Sequence, residues 1–216
     1  AEVFSEHTAM IEDEGKWREG LDKYDFNVIF FYQYNGGVGI RRFLYNRMND
    51  PEWAFVHADP FNYIFLRRNL ENENVIRNNE ITRENIADRL YHLSSSESYD
   101  DRVSFADIAN LIGRQDLGMQ TFVKILAKWP ERGKMWMIMG EWELSENNPK
   151  SPLLAAMYLE KAISLGHKTS EAYAFLGASY AKAGQIERSK ENLRKAIEIN
   201  PDRQDAVGLL SELENR

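Results

Sequence analysis

Residues 170–203 read SEAYAFLGASYAKAGQIERSKENLRKAIEINPDR. Tyr173, Leu176, Gly177 and Tyr180 recur at the three- and four-residue intervals that place side chains on one face of a helix. Ser189, Leu193 and Ala196 do the same on a second stretch. Gly184 is placed to end the first helix, and Asn200-Pro201 to stop the second. The small residues at 177 and 196 let two backbones approach closely, while Tyr173, Leu176, Tyr180 and Leu193 fill the space around them. These intervals predict a helical hairpin.

The order large, Leu, Gly, Tyr, then small, large, Ala, Pro within 34 residues resembles the tetratricopeptide repeat. Weaker copies flank it in phase. Trp136, Met139 and Gly140 repeat the opening, and Ala155, Leu159 and Ala162 the second helix. Phe105, Ile108, Ala109 and Ile112 repeat the opening again, followed by Thr121 and Ile125. After Pro201, Val207, Leu210 and Leu213 continue as one more helix, whose Glu212, Glu214 and Arg216 suit a solubilising cap. Residues 101–216 are therefore expected to form an all-α superhelix of about three hairpins plus a capping helix, with at least six helices and no strand.

Upstream the period changes. Residues 27–34, NVIFFYQY, form a continuous apolar run that predicts a buried strand. Ile40, Phe43, Leu44 and Met48 then recur at helical spacing as far as Asn49-Asp50-Pro51. Residues 53–57 and 63–66 predict two strands joined by Asp59-Pro60-Phe61-Asn62 as an antiparallel hairpin. Residues 6–24 predict a helix with Met10, Trp17 and Leu21 on one face, and residues 2–4 a short leading strand. The chain thus divides into a small α/β domain at 1–69, a linker and connecting helix at 70–100, and the helical repeats. The Asn- and Glu-rich residues 69–79 are the exposed part of that linker, and Thr82 caps a helix that reaches Ser94.

Residues 49–59, NDPEWAFVHAD, followed by IFLRR at 64–68, resemble the soluble tail of polytopic membrane glycosyltransferase and mannosyltransferase-like proteins. That resemblance implies an extracytoplasmic location and upstream membrane spans carrying the sugar-transfer site. None of that family's catalytic carboxylates falls on these residues. Without the resemblance, a cytoplasmic location is the expectation.

Composition narrows the chemistry. The net charge of −7 argues against a nucleic-acid partner, since phosphate binding needs clustered Lys and Arg. No cysteine is present, which excludes thiolate metal sites and thiol nucleophiles. His7, His57, His92 and His167 are scattered, and Glu12-Asp13-Glu14 reads as a solvated face. No catalytic site, metal or cofactor is expected. An alternative site is Asn35-Gly36-Gly37-Val38-Gly39 between a strand and a helix, where Gly36, Gly37, Gly39 and Arg41 would bind the anion of a nucleotide or sugar phosphate.

The repeat resemblance implies a scaffold that binds a protein or peptide. In such arrays the first helices line a concave groove, which by phase would consist of Lys134, Met137, Glu141 and Leu144, then Glu171, Ala174, Ala178 and Ala181. Its alanines suit an apolar helix or extended peptide. The carboxylate clamp found in some relatives needs Lys where this chain has Ala106 and Ala174, although Asn110 matches the clamp's Asn. The clamp is disfavoured.

Overall fold

The computed structural model describes residues 2–32, 38–144 and 151–215. The chain forms two compact units, residues 1–121 and 122–216.

The first unit opens with two helices, α1 (Glu2–Glu12) and α2 (Glu14–Tyr24), where the sequence predicts one. Asp13 makes the break: it is extended, and its carboxylate accepts from the Lys16 N–H at 2.8 Å to cap α2. Residues 2–4 are helical and supply no leading strand. Asp25 ends α2 in the left-handed region at φ 45°, a conformation Asp tolerates. Next come β1 (Val28–Tyr32), α3 (Val38–Met48), β2 (Trp53–Ala58) and β3 (Asn62–Arg67). The expected β2–β3 hairpin is present, its turn held by the Asp59 carboxylate, which accepts from the N–H groups of Phe61 and Asn62 at 2.8 Å. β1 pairs antiparallel with β3, so the sheet order is β1-β3-β2. β1 is consequently an edge, buried on alternate residues only, and not the fully buried strand its apolar run predicts.

Residues 70–100 do not form a linker. Helix α4 (Glu73–Asn79) lies on the sheet through Ile76, which packs with Ala54 and Leu66. The single helix expected after Thr82 is two short ones, α5 (Ile86–Arg89) and α6 (Tyr91–Ser94). Ile81, Ile86, Leu90 and Leu93 enter the same core as Trp17, Phe43 and Phe65, and so do Phe105, Ile108 and Ala109 of α7 (Tyr99–Leu111). That shared core moves the division between units to residues 121 and 122, inside α8 (Gln115–Lys128).

The second unit contains α9 (Gly133–Leu144), α10 (Pro152–Ser164), α11 (Ser170–Lys182), α12 (Ile186–Ile199) and α13 (Gln204–Glu214). Among the described residues, α7 to α13 are the seven helices after residue 98, with no strand between them. Consecutive helices pack from α9 to α13. The motif's small residues sit where the hairpins close: a Cβ on Gly140 would lie 2.5 Å from Leu159 Cγ, and one on Gly177 would lie 2.7 Å from Leu193 Cγ. Ser189 donates its hydroxyl to the Gly177 carbonyl and Ser170 to that of Ala196, both at 2.7 Å and buried. Gly184, at φ 75°, ends α11 as its position predicts.

Candidate functional site

A helix residue that faces away from its own hairpin partner meets the first helix of the next hairpin before it meets a ligand. Met137 shows the consequence. It is 5% exposed and packs with Ala172, Leu176 and Tyr180 of α11. Ala174 is 4% exposed and packs with Leu193, Ala206 and Leu213. These two residues, expected in an open groove, are therefore interior contacts between successive repeats.

The other six residues are distributed differently. Lys134 and Glu141 are exposed, while Leu144, Glu171, Ala178 and Ala181 are half-buried. Leu144 packs against the α9–α10–α11 cluster and Ala181 against the α11–α12–α13 cluster, whereas Ala178 belongs to neither. The Lys182 ammonium donates to the Leu144 carbonyl at 3.1 Å and ties the end of α9 to α11. Of the residues placed on α9 and α11, Ala178 is thus the half-buried one outside both clusters, near the α9–α11 contact made by Leu144 and Lys182.

Electrostatics on this unit follow from burial. His167, on the α10–α11 connection, has its pKa lowered by burial and then by the Lys134 charge, so the ring favours its neutral form. Burial, with the Glu160 carboxylate that accepts from its hydroxyl, pushes Tyr180 up to about 12. Both are packing residues. Trp136 likewise donates its indole N–H to the Pro130 carbonyl at 2.8 Å, and its ring lies tilted against Tyr158 at 5.9 Å between centroids.

Of the alternative site, Gly36 and Gly37 lie outside the described residues. Gly39 is in α3, and Arg41 on the same helix lies 3.9 Å from the Asp107 carboxylate. His57 is exposed on edge strand β2, where its Nε2 is 3.5 Å from Asp59. Among the described residues, no group of three or more His, Cys, Asp or Glu could hold a metal ion, and no helix is long and apolar enough to cross a membrane. Sequence reading missed a buried cation: Arg47, 1% exposed, lies against the carboxylates of Glu14 and Asp50 and over the Trp17 ring at 4.5 Å. Glu14 belongs to the acidic run read as a solvated face, and nothing in the local pattern marks its partner 33 residues away.

The tetratricopeptide repeat family model matches residues 170–203. No curated protein matches the sequence. Among solved structures, a MamA crystal structure is similar at 22% identity and TM-score 0.46, over 51% of this chain and 63% of that one. The chain therefore spans less than two thirds of that structure's length. A MamA double mutant, RS-1 ArsTM, is similar at 19% identity and TM-score 0.52, over 68% of this chain and 80% of that one. The first TPR of Spaghetti (RPAP3), bound to the HSP90 peptide SRMEEVD, is similar at 15% identity and TM-score 0.49, over 56% of this chain and 95% of that one. At these identities the likeness is one of fold. Residues 170–203 form a tetratricopeptide repeat, with one further helical hairpin, α9 and α10, before it in the second unit and the single helix α13 after it.

Proposed function

We propose that the second unit is a protein-interaction scaffold, not an enzyme, and that the strip between α9 and α11 receives an apolar peptide or helix. The observation that carries this reading is Ala178: it lies one turn before Lys182 on α11, half-buried yet outside both packing clusters. A partner that covers such a strip gains mainly by burying apolar area, at roughly 25 cal/mol per Å².

The test separates docking from folding by using two alanines on one helix. Ala178→Glu is expected to reduce capture of the partner at least about tenfold with an unchanged melting curve, since burying a carboxylate under a docked apolar chain costs more than a pair with Lys182, one turn on, returns. Ala174→Glu, by contrast, forces a charge into the α11–α12–α13 core and should lower the melting temperature before any partner is added. Equal capture by wild type and Ala178→Glu would take the partner off this strip.

Partner chemistry is constrained by what the first helices lack. Ala106 and Ala174 stand where a carboxylate clamp needs lysine, and both are buried. The acidic peptide SRMEEVD is therefore expected to give no saturable signal in a fluorescence-anisotropy titration to about 1 mM. Saturable binding in the micromolar range would reinstate a clamp built from other cations.

The finer reading, an extracytoplasmic piece of a larger glycosyltransferase-like membrane protein, rests on residues 49–68 alone. It predicts membrane spans and a sugar-transfer site encoded upstream of Ala1. Sequencing the transcript through that point decides it, and a start codon immediately before Ala1 removes the reading.

A further inference from the structure

Residues 80–83, between α4 and α5, run beside β2, where the Ile81 N–H donates to the Phe55 carbonyl at 2.7 Å. Together with the ends of α3 and α7 they border a cleft of about 450 Å³, within the ~300–1,000 Å³ of small-molecule sites. The cleft lies wholly in the first unit. Of its apolar lining, Trp53 and Phe55 are buried, Met48, Leu111 and Ile112 are half-buried, and Tyr45 is 54% exposed. Four charged side chains also line it: Asp50, Arg68, Glu80 and Arg83. Three of them are answered. Asp50 lies 3.4 Å from Arg47 and 3.3 Å from Arg18, and Arg68 pairs with Glu80. Arg83 is different. Elsewhere in this unit Arg41, Arg67, Arg77 and Arg114 each lie against a carboxylate, but among the described residues none pairs with Arg83, whose charge the neighbouring Glu84 feels without bonding to it. The Arg83 Nη1 would lie 3.8 Å from a Cβ on Gly113, so its head group sits at the end of α7, where Leu111 and Ile112 line the cleft.

We propose that this cleft binds a small aromatic carboxylate, its ring against Tyr45 and Met48 and its carboxylate on the Arg83 guanidinium. The charge follows from the lining. With Asp50 and Glu80 already matched by arginines, the cleft presents one unanswered cation, which a singly charged acid completes and a ligand cation would meet as its like. The guanidinium offers paired N–H donors in the fork that matches a carboxylate. A cleft partly shielded from water makes that pair stronger than one on the open surface. The body of the ligand follows from the side chains around it. Tyr45, Trp53 and Phe55 favour ring contacts, and the Met48 thioether adds a sulfur–aromatic one.

Indoleacetate titrated into the full chain, followed by amide chemical shifts, tests the proposal. Shifts at Ile81, Arg83, Ile112 and Gly113 should saturate with a Kd of about 1 mM or tighter. Indoleacetamide, the uncharged counterpart, should bind at least about fivefold more weakly, and added salt should weaken the acid but not the amide. Arg83→Gln should bring the acid to the affinity of the amide and leave the amide unchanged. Arg89→Gln, at an exposed arginine of the same unit that does not line the cleft, should alter neither. Arg83→Ala repeats the test should Arg83→Gln melt early. No saturation at these amides by about 10 mM, or equal affinity for acid and amide, overturns the proposal. So does an Arg83→Gln protein that still prefers the acid, or one that loses both ligands with its melting curve intact, since Arg83 would then shape the cleft without holding the carboxylate.

Discussion

Gly177→Leu is expected to lower the melting temperature of the repeat unit by roughly 5–20 °C, corresponding to about 1–3 kcal/mol of overpacking in a unit of this size. The new Cβ alone would meet Leu193 Cγ and Cδ2 at 2.7 and 2.8 Å and the Leu193 backbone nitrogen at 3.3 Å. Leu193 has little room to retreat, since it is 1% exposed and packed against Ala196 and Ala206. Ala196, fully buried beside Ser170 further along the same hairpin, leaves no room either, so Ala196→Leu should cost a similar amount. Gly208 is the control. A Cβ there meets nothing within 4 Å, so Gly208→Ala should raise stability by up to about 1 kcal/mol through helix propensity. Melting followed by far-ultraviolet circular dichroism reads all three, and a wild-type melt for Gly177→Leu would mean that α11 and α12 do not cross at that glycine.

That crossing was legible in the sequence because everything it needs is local. Tyr173 to Ala196 form one hairpin, so the residues that touch are few positions apart and their spacing reports their packing. The α/β part was legible only where contacts are equally local, as in the Asp59-Pro60-Phe61-Asn62 turn. Residues 69–79 were misread because their composition is polar and most of α4 is indeed exposed; one buried apolar side chain, Ile76, packs it on the sheet, and Asn72 at its start donates to the Arg67 carbonyl at 2.9 Å. The run at 27–34 was misread because an apolar pattern cannot distinguish a strand covered on both faces from an edge strand whose outer face is bare.

The candidate groove failed in part for a geometrical reason. Helical phase names the residues opposite a hairpin's own partner, but whether they meet solvent or the next hairpin depends on how the hairpins stack. Met137 and Ala174 meet the next hairpin. Ala178, one turn further along α11, does not, and the sequence gives both alanines the same identity and phase. Glu14 was illegible for a different reason: an acid beside two acids reads as solvated unless the buried cation it serves is already known.

That cation should produce the largest single-site effect in the first unit. Arg47 is 1% exposed, with Asp50 at 3.4 Å and Glu14 at 2.6 Å, and its guanidinium lies over Trp17 and near Phe43. Its Nε and Nη1 have no hydrogen-bond partner, so the nearby Asp50 charge and the aromatic faces have to replace the hydration those two groups lose. Glu14 is half exposed and weakened by solvent; Asp50 is not, its side chain being 4% exposed, and it also accepts from the Glu52 N–H at 3.0 Å. Asp50→Ala is therefore expected to cost about 3–5 kcal/mol, the penalty for stranding a buried charge. Adding Arg47→Met removes the stranded charge and leaves a flexible apolar side chain against Trp17 and Phe43, so the double variant should recover at least half of that loss. Denaturant midpoints of the two single variants and the double close the cycle, and purely additive costs would mean that Arg47 and Asp50 do not act on each other.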